Sequence, residues 1–516
     1  MRVKAFFKTV AIVTVFSVCE KFLGFLYRIY LSRSIGAEGV GIYQVALSVF
    51  AFLLTVICSG TPITVSRLMT KYRSENEPKK VIRVISSGLA VTFFIALPVC
   101  LIFYFSCGKL SFLFADERCA LVFKVVLPGL VFTSLYSVLR GVFWGNKDFL
   151  PYSVIELLEE ICMIIAGILL ISRTSDAFSG AYAAGFAVLI SYILSFTLAA
   201  ITFLLRKNRL ANPLPELKPL LASAAPVTAM RTVNSLGVFA VSVILPLRLV
   251  AAGLSEARAM SLYGAAVGQA MPLLFVPTTL IGSFTLVLVP EISESFYKKQ
   301  NAYLKNDVEK AVKFTAMLSS LFIPAFFVCG EEAGMIVFGN ADCGKYLTAS
   351  AYLMFFISLS SLTSSILNSM GKESLVLAFT AGSGVLMLFC VWFLPKVIGV
   401  YALLVGFSCV YVITAALNFF LINKTCPVKP KYLKFCVLCL ALTVPACVFG
   451  VLIEKLLLPV LGTFFTFVVC GAASTAFLIA LYLCFGLLSV NTIKLKFGFT
   501  GRKKKGRSAA SGTSGG

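Results

Sequence analysis

The chain contains no histidine, and only 13% of its 516 residues are charged. Without histidine, both the commonest general base and the commonest metal ligand are missing. A resident metal or cofactor is not expected, and neither is an enzyme. No Gly-x-x-x-x-Gly-Lys-Ser/Thr string occurs, so a nucleotide-binding phosphate loop is excluded as the energy source. Acidic residues are scarce too, with 22 Asp and Glu against 45 Lys and Arg.

What fills the chain instead is apolar. Hydrophobic residues make up 59% of it and the mean hydropathy is +0.96, well outside soluble globular usage. Apolar stretches long enough to cross a bilayer recur near 5–31, 41–66, 81–106, 120–144, 150–171, 177–205, 219–250, 259–289, 308–329, 346–369, 374–394, 399–422, 433–453 and 461–488. The fold class is therefore an all-α polytopic membrane protein with about 14 transmembrane helices.

The net charge of +23 could suggest nucleic acid, but its placement argues against that partner. Counted with the N-terminus inside, the termini and even-numbered loops hold roughly 29 Lys and Arg and the alternate loops roughly 8. That asymmetry places both termini in the cytoplasm of a plasma-membrane protein. The basic loops, among them 71–80, 206–218, 298–305 and 424–434, then face anionic lipid headgroups. Most of the 16 Cys lie in spans as small hydrophobes. Cys107 and Cys119 flank an expected external loop, and whether they pair is left open by the sequence.

Shifting the chain by a little over 200 residues superposes weak likenesses. Leu23-Gly24 falls on Leu236-Gly237, Ile42-Tyr43 near Leu262-Tyr263, and Gly145-Asn146-Lys147 near Gly371-Lys372. The expected organisation is two pseudo-repeated six-helix lobes, residues 1–210 and 211–425. Two further helices follow at 426–490 and a basic, disordered cytoplasmic tail at 491–516. An even number of spans returns the chain to its starting side, so both lobes have the same orientation.

The first span carries Glu20, Lys21 and Arg28, where an anchor helix would be purely apolar. A charge at bilayer depth costs roughly 2.5–3.5 kcal/mol on insertion scales, so these groups must be paired, hydrated or functional. Lys21, Gly24 and Arg28 share one helix face, suited to a water-filled cavity that meets an anion. The seventh span, in the equivalent place, holds Arg231 and Asn234 and is interrupted by Pro226 and Pro246. The competing reading is that Lys21 pairs with a Glu and Arg28 snorkels outward.

Residues 21–44, KFLGFLYRIYLSRSIGAEGVGIYQ, carry a resemblance. With Gly60-Thr61-Pro62, Ser66-Arg67, the run Arg140 to Gly145 and the stretch Pro151 to Glu159, they resemble the stage V sporulation protein B-like, polysaccharide-transport branch of the multidrug/oligosaccharidyl-lipid/polysaccharide exporter superfamily, related to lipid II flippases. The resemblance implies a flippase that moves a polyprenyl-pyrophosphate-linked saccharide, a peptidoglycan or polysaccharide precursor, to the outer leaflet by alternating access. It implies links to cell-wall synthesis and sporulation, with cell-wall or polysaccharide synthesis enzymes as partners, and a lipid-tail groove in the last two helices. On this reading Lys21, Arg28, Arg231 and Asn234 bind the pyrophosphate in the cavity, and Arg67 and Arg140 guard the gate or cytoplasmic entry.

One departure from the family pattern is the fifth span, where Glu156, Glu159 and Glu160 share a face and Met163 stands where an Arg is expected. Glu159, and Glu156 with it, are the candidates for coupling to Na⁺, H⁺ or membrane potential, while Arg140 and Glu156 are placed to pair across the hairpin of spans four and five. The alternative function is a cation-coupled multidrug exporter, whose cavity would be acidic or aromatic. A membrane-bound glycosyltransferase or polymerase is disfavoured by short external loops and the lack of His.

Overall fold

A computed structural model describes residues 2–109, 114–206, 210–426 and 431–488, with side chains described from residue 13 except at 280, 283–284, 286–287, 290 and 457–464. The expected tail at 491–516 lies outside the described residues, as do parts of the basic loops at 206–218 and 424–434. Every regular element among the described residues is helical.

The first half comprises α1 (Arg2–Cys58), α2 (Thr61–Ser74), α3 (Pro78–Ser106), α4 (Glu117–Val126), α5 (Gly129–Asn146), α6 (Phe149–Ile171) and α7 (Ala177–Leu205). The second comprises α8 (Leu214–Ala251), α9 (Glu256–Tyr263), a π-helical segment at Gly264–Ala270, α10 (Met271–Tyr297), α11 (Asn301–Val328), α12 (Gly330–Phe338), α13 (Ala341–Ser350), α14 (Leu353–Ser369), α15 (Glu373–Phe393), α16 (Pro395–Ile398) and α17 (Tyr401–Thr425). The chain closes with α18 (Leu433–Cys484).

Ten helices among the described residues are long and apolar enough to cross a membrane, and two bent pairs raise the number to twelve. Two further spans have simple origins. The run Val13–Ser74 is too long for one crossing, and Gly36 divides it with φ 67° and ψ 178°, a conformation open to glycine because it lacks a Cβ. Arg28 and Tyr43, on either side of that break, interact electrostatically, so α1 doubles back on itself. The break is a single residue; the sequence suggested a loop of several. Helix α6 is apolar apart from its three glutamates.

The order of elements recurs in the two halves. α4 and α5 meet at 46° around Pro128, and α13 and α14 meet at 58° in the corresponding place. The nominally continuous α18 is a hairpin: Phe449 stacks on Phe477 at 4.2 Å, and Cys439 and Tyr482 share one core cluster. It docks on α11, where the Ser320 and Tyr482 hydroxyls bond at 2.6 Å.

Burial divides along these lines. One apolar cluster holds α1 and α4 against α9 and the π segment; a second holds α10, α11, α14, α17 and α18; a third holds α2, α3 and α5. Cys107 and Cys119 are both free thiols, Cys107 donating to the Ala120 carbonyl at 3.3 Å and Cys119 lying 3.9 Å from the Met260 sulfur.

Candidate functional site

Helices α1, α5 and α6 gather the charges of the first half. Close approach of α1 and α6 depends on glycine: Tyr27 covers Gly167, where any Cβ would strike the phenol ring. One turn from Tyr27, Glu160 of α6 lies against Gly24, its Oε1 2.8 Å from where a Cβ would be. Its charge is felt by Arg28, which also faces Tyr43. The face Lys21–Gly24–Arg28 thus meets an acidic side chain along its length. Glu20, unassigned by the sequence, interacts with both Lys21 and Arg140.

Arg140 of α5 forms an ion pair with Glu156 of α6 at 3.5 Å and lies 5.2 Å from the Trp144 ring centre. Both partners are partly buried, and the Arg140 Nε has no hydrogen-bond partner. The spacing of three glutamates on one face does not send them to one place. Glu156 and Glu160 turn towards Arg140 and α1, whereas Glu159 is directed at Ser195 of α7. Glu159 remains within electrostatic range of Glu156, Glu160 and Arg140, and Glu160 lies within range of Arg28.

Helix α8 bridges the halves. Its first turns pack on the first half: Thr228 Oγ1 accepts from the Gly60 backbone N–H at 3.1 Å, Arg67 bonds to the Ser223 hydroxyl, and Tyr72 donates to the buried Glu216 at 2.8 Å. Its last turns reach the second half, where Arg248 donates to the Trp392 carbonyl at 2.8 Å and lies over the indole. Pro219, Pro226 and Pro246 interrupt its backbone bonding between these attachments.

Arg231 and Asn234 are exposed in the middle of α8 and make no hydrogen bond or ion pair among the described residues. Lys21 is exposed on α1. Arg28 sits two turns before the Gly36 reversal, while Arg231 sits one turn from Thr228, which bonds to Gly60 just past the second arm of α1. No hydrogen bond or ion pair among the described residues joins Arg231 to Lys21 or Arg28. Arg67 and Arg140 both stand towards the Gly60 end, one tying α2 to α8 and the other α5 to α6.

At the Gly36 end the halves meet directly. A Cβ on Gly41 would collide with the Met260 carbonyl, and one on Gly264 with the Ala37 carbonyl. Gln269 of the π segment donates to the Ser32 hydroxyl at 2.7 Å. Neither the π segment nor this glycine crossing has a signal in the sequence pattern, since GAAVGQA reads as ordinary apolar helix.

A bundle whose helices are this long and apolar, with its two halves in similar order and linked by the proline-interrupted α8, defines a multi-pass membrane protein. The chain belongs to the polysaccharide biosynthesis protein family, whose model matches residues 6–296. It is 24% identical over 373 residues to the stage V sporulation protein B of Bacillus subtilis (strain 168), covering 69% of this chain and 71% of that protein. It is 21% identical over 396 residues to the lipid II flippase MurJ of the same organism, covering 70% and 72%. Among solved structures, the lipid II flippase MurJ in an inward closed conformation matches with a TM-score of 0.72 at 14% identity, covering 93% of this chain and all of that one. An inward-facing multidrug resistance MATE family transporter matches at 0.65 with 14% identity, covering 78% and 93%. These two likenesses concern the fold.

Proposed function

We propose that the protein is a flippase that translocates a polyprenyl-pyrophosphate-linked saccharide across the plasma membrane by alternating access, with both termini cytoplasmic. The observation that carries this reading is the unequal contact between the halves. Apart from α8, their packing clusters at the Gly36 end, while Lys21, Arg231 and Asn234 remain exposed along the middle of α1 and α8. Exposed cations in these positions, Lys21 beside Glu20 and Arg231 without a hydrogen bond or ion pair among the described residues, suit an anionic head group. The naming of one relative as a lipid II flippase, and of another as a sporulation protein, supports a cell-wall or spore-envelope precursor as cargo, with the enzymes that make or consume it as partners.

In this scheme the head group enters near Arg67 and Arg140, meets Arg231 and Asn234, and passes to Lys21 and Arg28 as the lobes rock. The arms of the α18 hairpin serve as the groove for the polyprenyl tail. The drive is the membrane potential or an ion gradient, sensed through Glu156, Glu159 and Glu160. About 2.3 kcal/mol is available per elementary charge per 100 mV.

Proteoliposomes loaded with either a polyprenyl-pyrophosphate saccharide or a cationic dye test the reading. Translocation of the lipid, responsive to an imposed potential, Na⁺ gradient or pH gradient, is the expected result. Transport of the dye alone would identify a cation-coupled multidrug exporter, the reading that the acidic face of α6 favours. Lipid translocation indifferent to all three gradients would remove ion coupling.

A further inference from the structure

The contact between the halves at the Gly36 end combines close backbone approach and apolar packing with a relay of three uncharged polar side chains. Gly41, Gly264 and Gly268 allow α1 and the π segment to touch, Gly268 meeting the Val40 side chain. A π turn widens the helix by one residue, and here it places Gln269 at the centre of the seam. Gln269 is fully buried. Its amide nitrogen donates to Ser32 Oγ of α1 at 2.7 Å, and its carbonyl oxygen accepts from Asn340 Nδ2 at 2.8 Å. Asn340 in turn caps α13, accepting from the Asp342 backbone N–H at 2.9 Å. Beside this relay, Arg33 reaches the last carbonyls of α12, with Nε 3.0 Å from the Val337 oxygen and a second bond to Ile336.

We propose that Gln269 is a gate-holding residue: through Ser32 and Asn340 it locks the lobes together at this end, and release of these bonds with relaxation of the π turn lets the end open. The physical basis is a difference between two states. With the seam shut, Gln269 depends on its two neighbours, because it is fully buried, whereas Ser32 and Asn340 border a cavity beside it. With the seam open, water serves all of them. Removing the central amide therefore penalises the shut state and spares the open one.

This inference rests on alternating access, but its test needs no transported lipid. Cys119 of α4 lies fully buried against Met260 of α9, across the seam, whereas Cys439 of α18 is fully buried in the cluster around α11, away from the seam. The full-length protein in nanodiscs is treated with a hydrophilic maleimide, and modification is located by peptide mass spectrometry. Gln269→Leu is expected to raise the rate at Cys119 roughly tenfold while leaving Cys439 protected. An unchanged rate at Cys119 overturns the proposal. If Gln269→Leu exposes both thiols through unfolding, Ser32→Ala decides: a selective rise at Cys119 supports the lock and no rise overturns it. Selective opening in a protein that moves no lipid would leave the lock standing and remove the proposed cargo.

Discussion

Glu160 presses its carboxylate against Gly24, with Oε1 2.8 Å from the position a Cβ would occupy. The missing side chain on α1 is the space into which the acid of α6 fits, and that acid is then held beside Arg28. The charges on α1 are thus neither a solvated stripe nor a lone anomaly. They belong to a cluster shared with α5 and α6, in which Glu160 lies within electrostatic range of Arg28.

Gly24→Ala displaces Glu160 from this position. The atom in the way is the free end of a flexible side chain, so stability should change by no more than about 0.5 kcal/mol. Transport should fall several-fold because the charge opposite Arg28 has moved. Thermal denaturation in detergent beside a flipping assay separates the two effects; a large loss of stability with normal transport per folded molecule would contradict this role.

Arg140 and Glu156 should behave as a unit. Each single Ala variant strands a partly buried charge, whereas the double variant strands none. A double-mutant cycle on stability is expected to give a coupling of about 1–2 kcal/mol, with the single variants more costly than additivity allows. Additive losses would mean that the pair contributes only through separate contacts.

Gly60 admits α8 to the first half: a Cβ there would lie 2.5 Å from both the Ala224 carbonyl and the Thr228 hydroxyl. Both obstacles are parts of a packed helix, so Gly60→Ala should cost about 1–3 kcal/mol. It should also free Ser223 from Arg67, seen as faster hydrogen exchange in the first turns of α8. Wild-type exchange would show that α8 is held there by other contacts.

The docking of α18 on α11 turns on a buried pair of hydroxyls. Tyr482→Phe or Ser320→Ala should each destabilise the protein by about 1 kcal/mol, and the two together by little more than either. Denaturation midpoints of the three variants check this.

The features legible in the sequence were those with a period or a count. Apolar runs fixed the fold class, and helical spacing put Lys21, Gly24 and Arg28 on one face. The hairpin spacing anticipated the Arg140–Glu156 pair. What escaped depended on which neighbour a face meets. Glu159 and Glu160 are adjacent on α6, and only the packing of α1 and α7 against it sends one to Ser195 and the other to Gly24. The surroundings of Arg28 and Arg231 were hidden because the reversal at Gly36 and the seat of Thr228 on Gly60 are tertiary facts. The π turn at Gly264–Ala270 has no propensity signature at all.

Binding of an anionic lipid head group by the cations of α1 turns on Arg28. Proteoliposomes containing Arg28→Ala or the wild-type protein, matched for folded protein, are assayed for flipping of a polyprenyl-pyrophosphate saccharide. Arg28→Ala should lose most of its rate, and Arg28→Lys, which keeps the charge without the planar fork, should recover part of it. Wild-type flipping by Arg28→Ala would contradict a role for Arg28 in binding the head group.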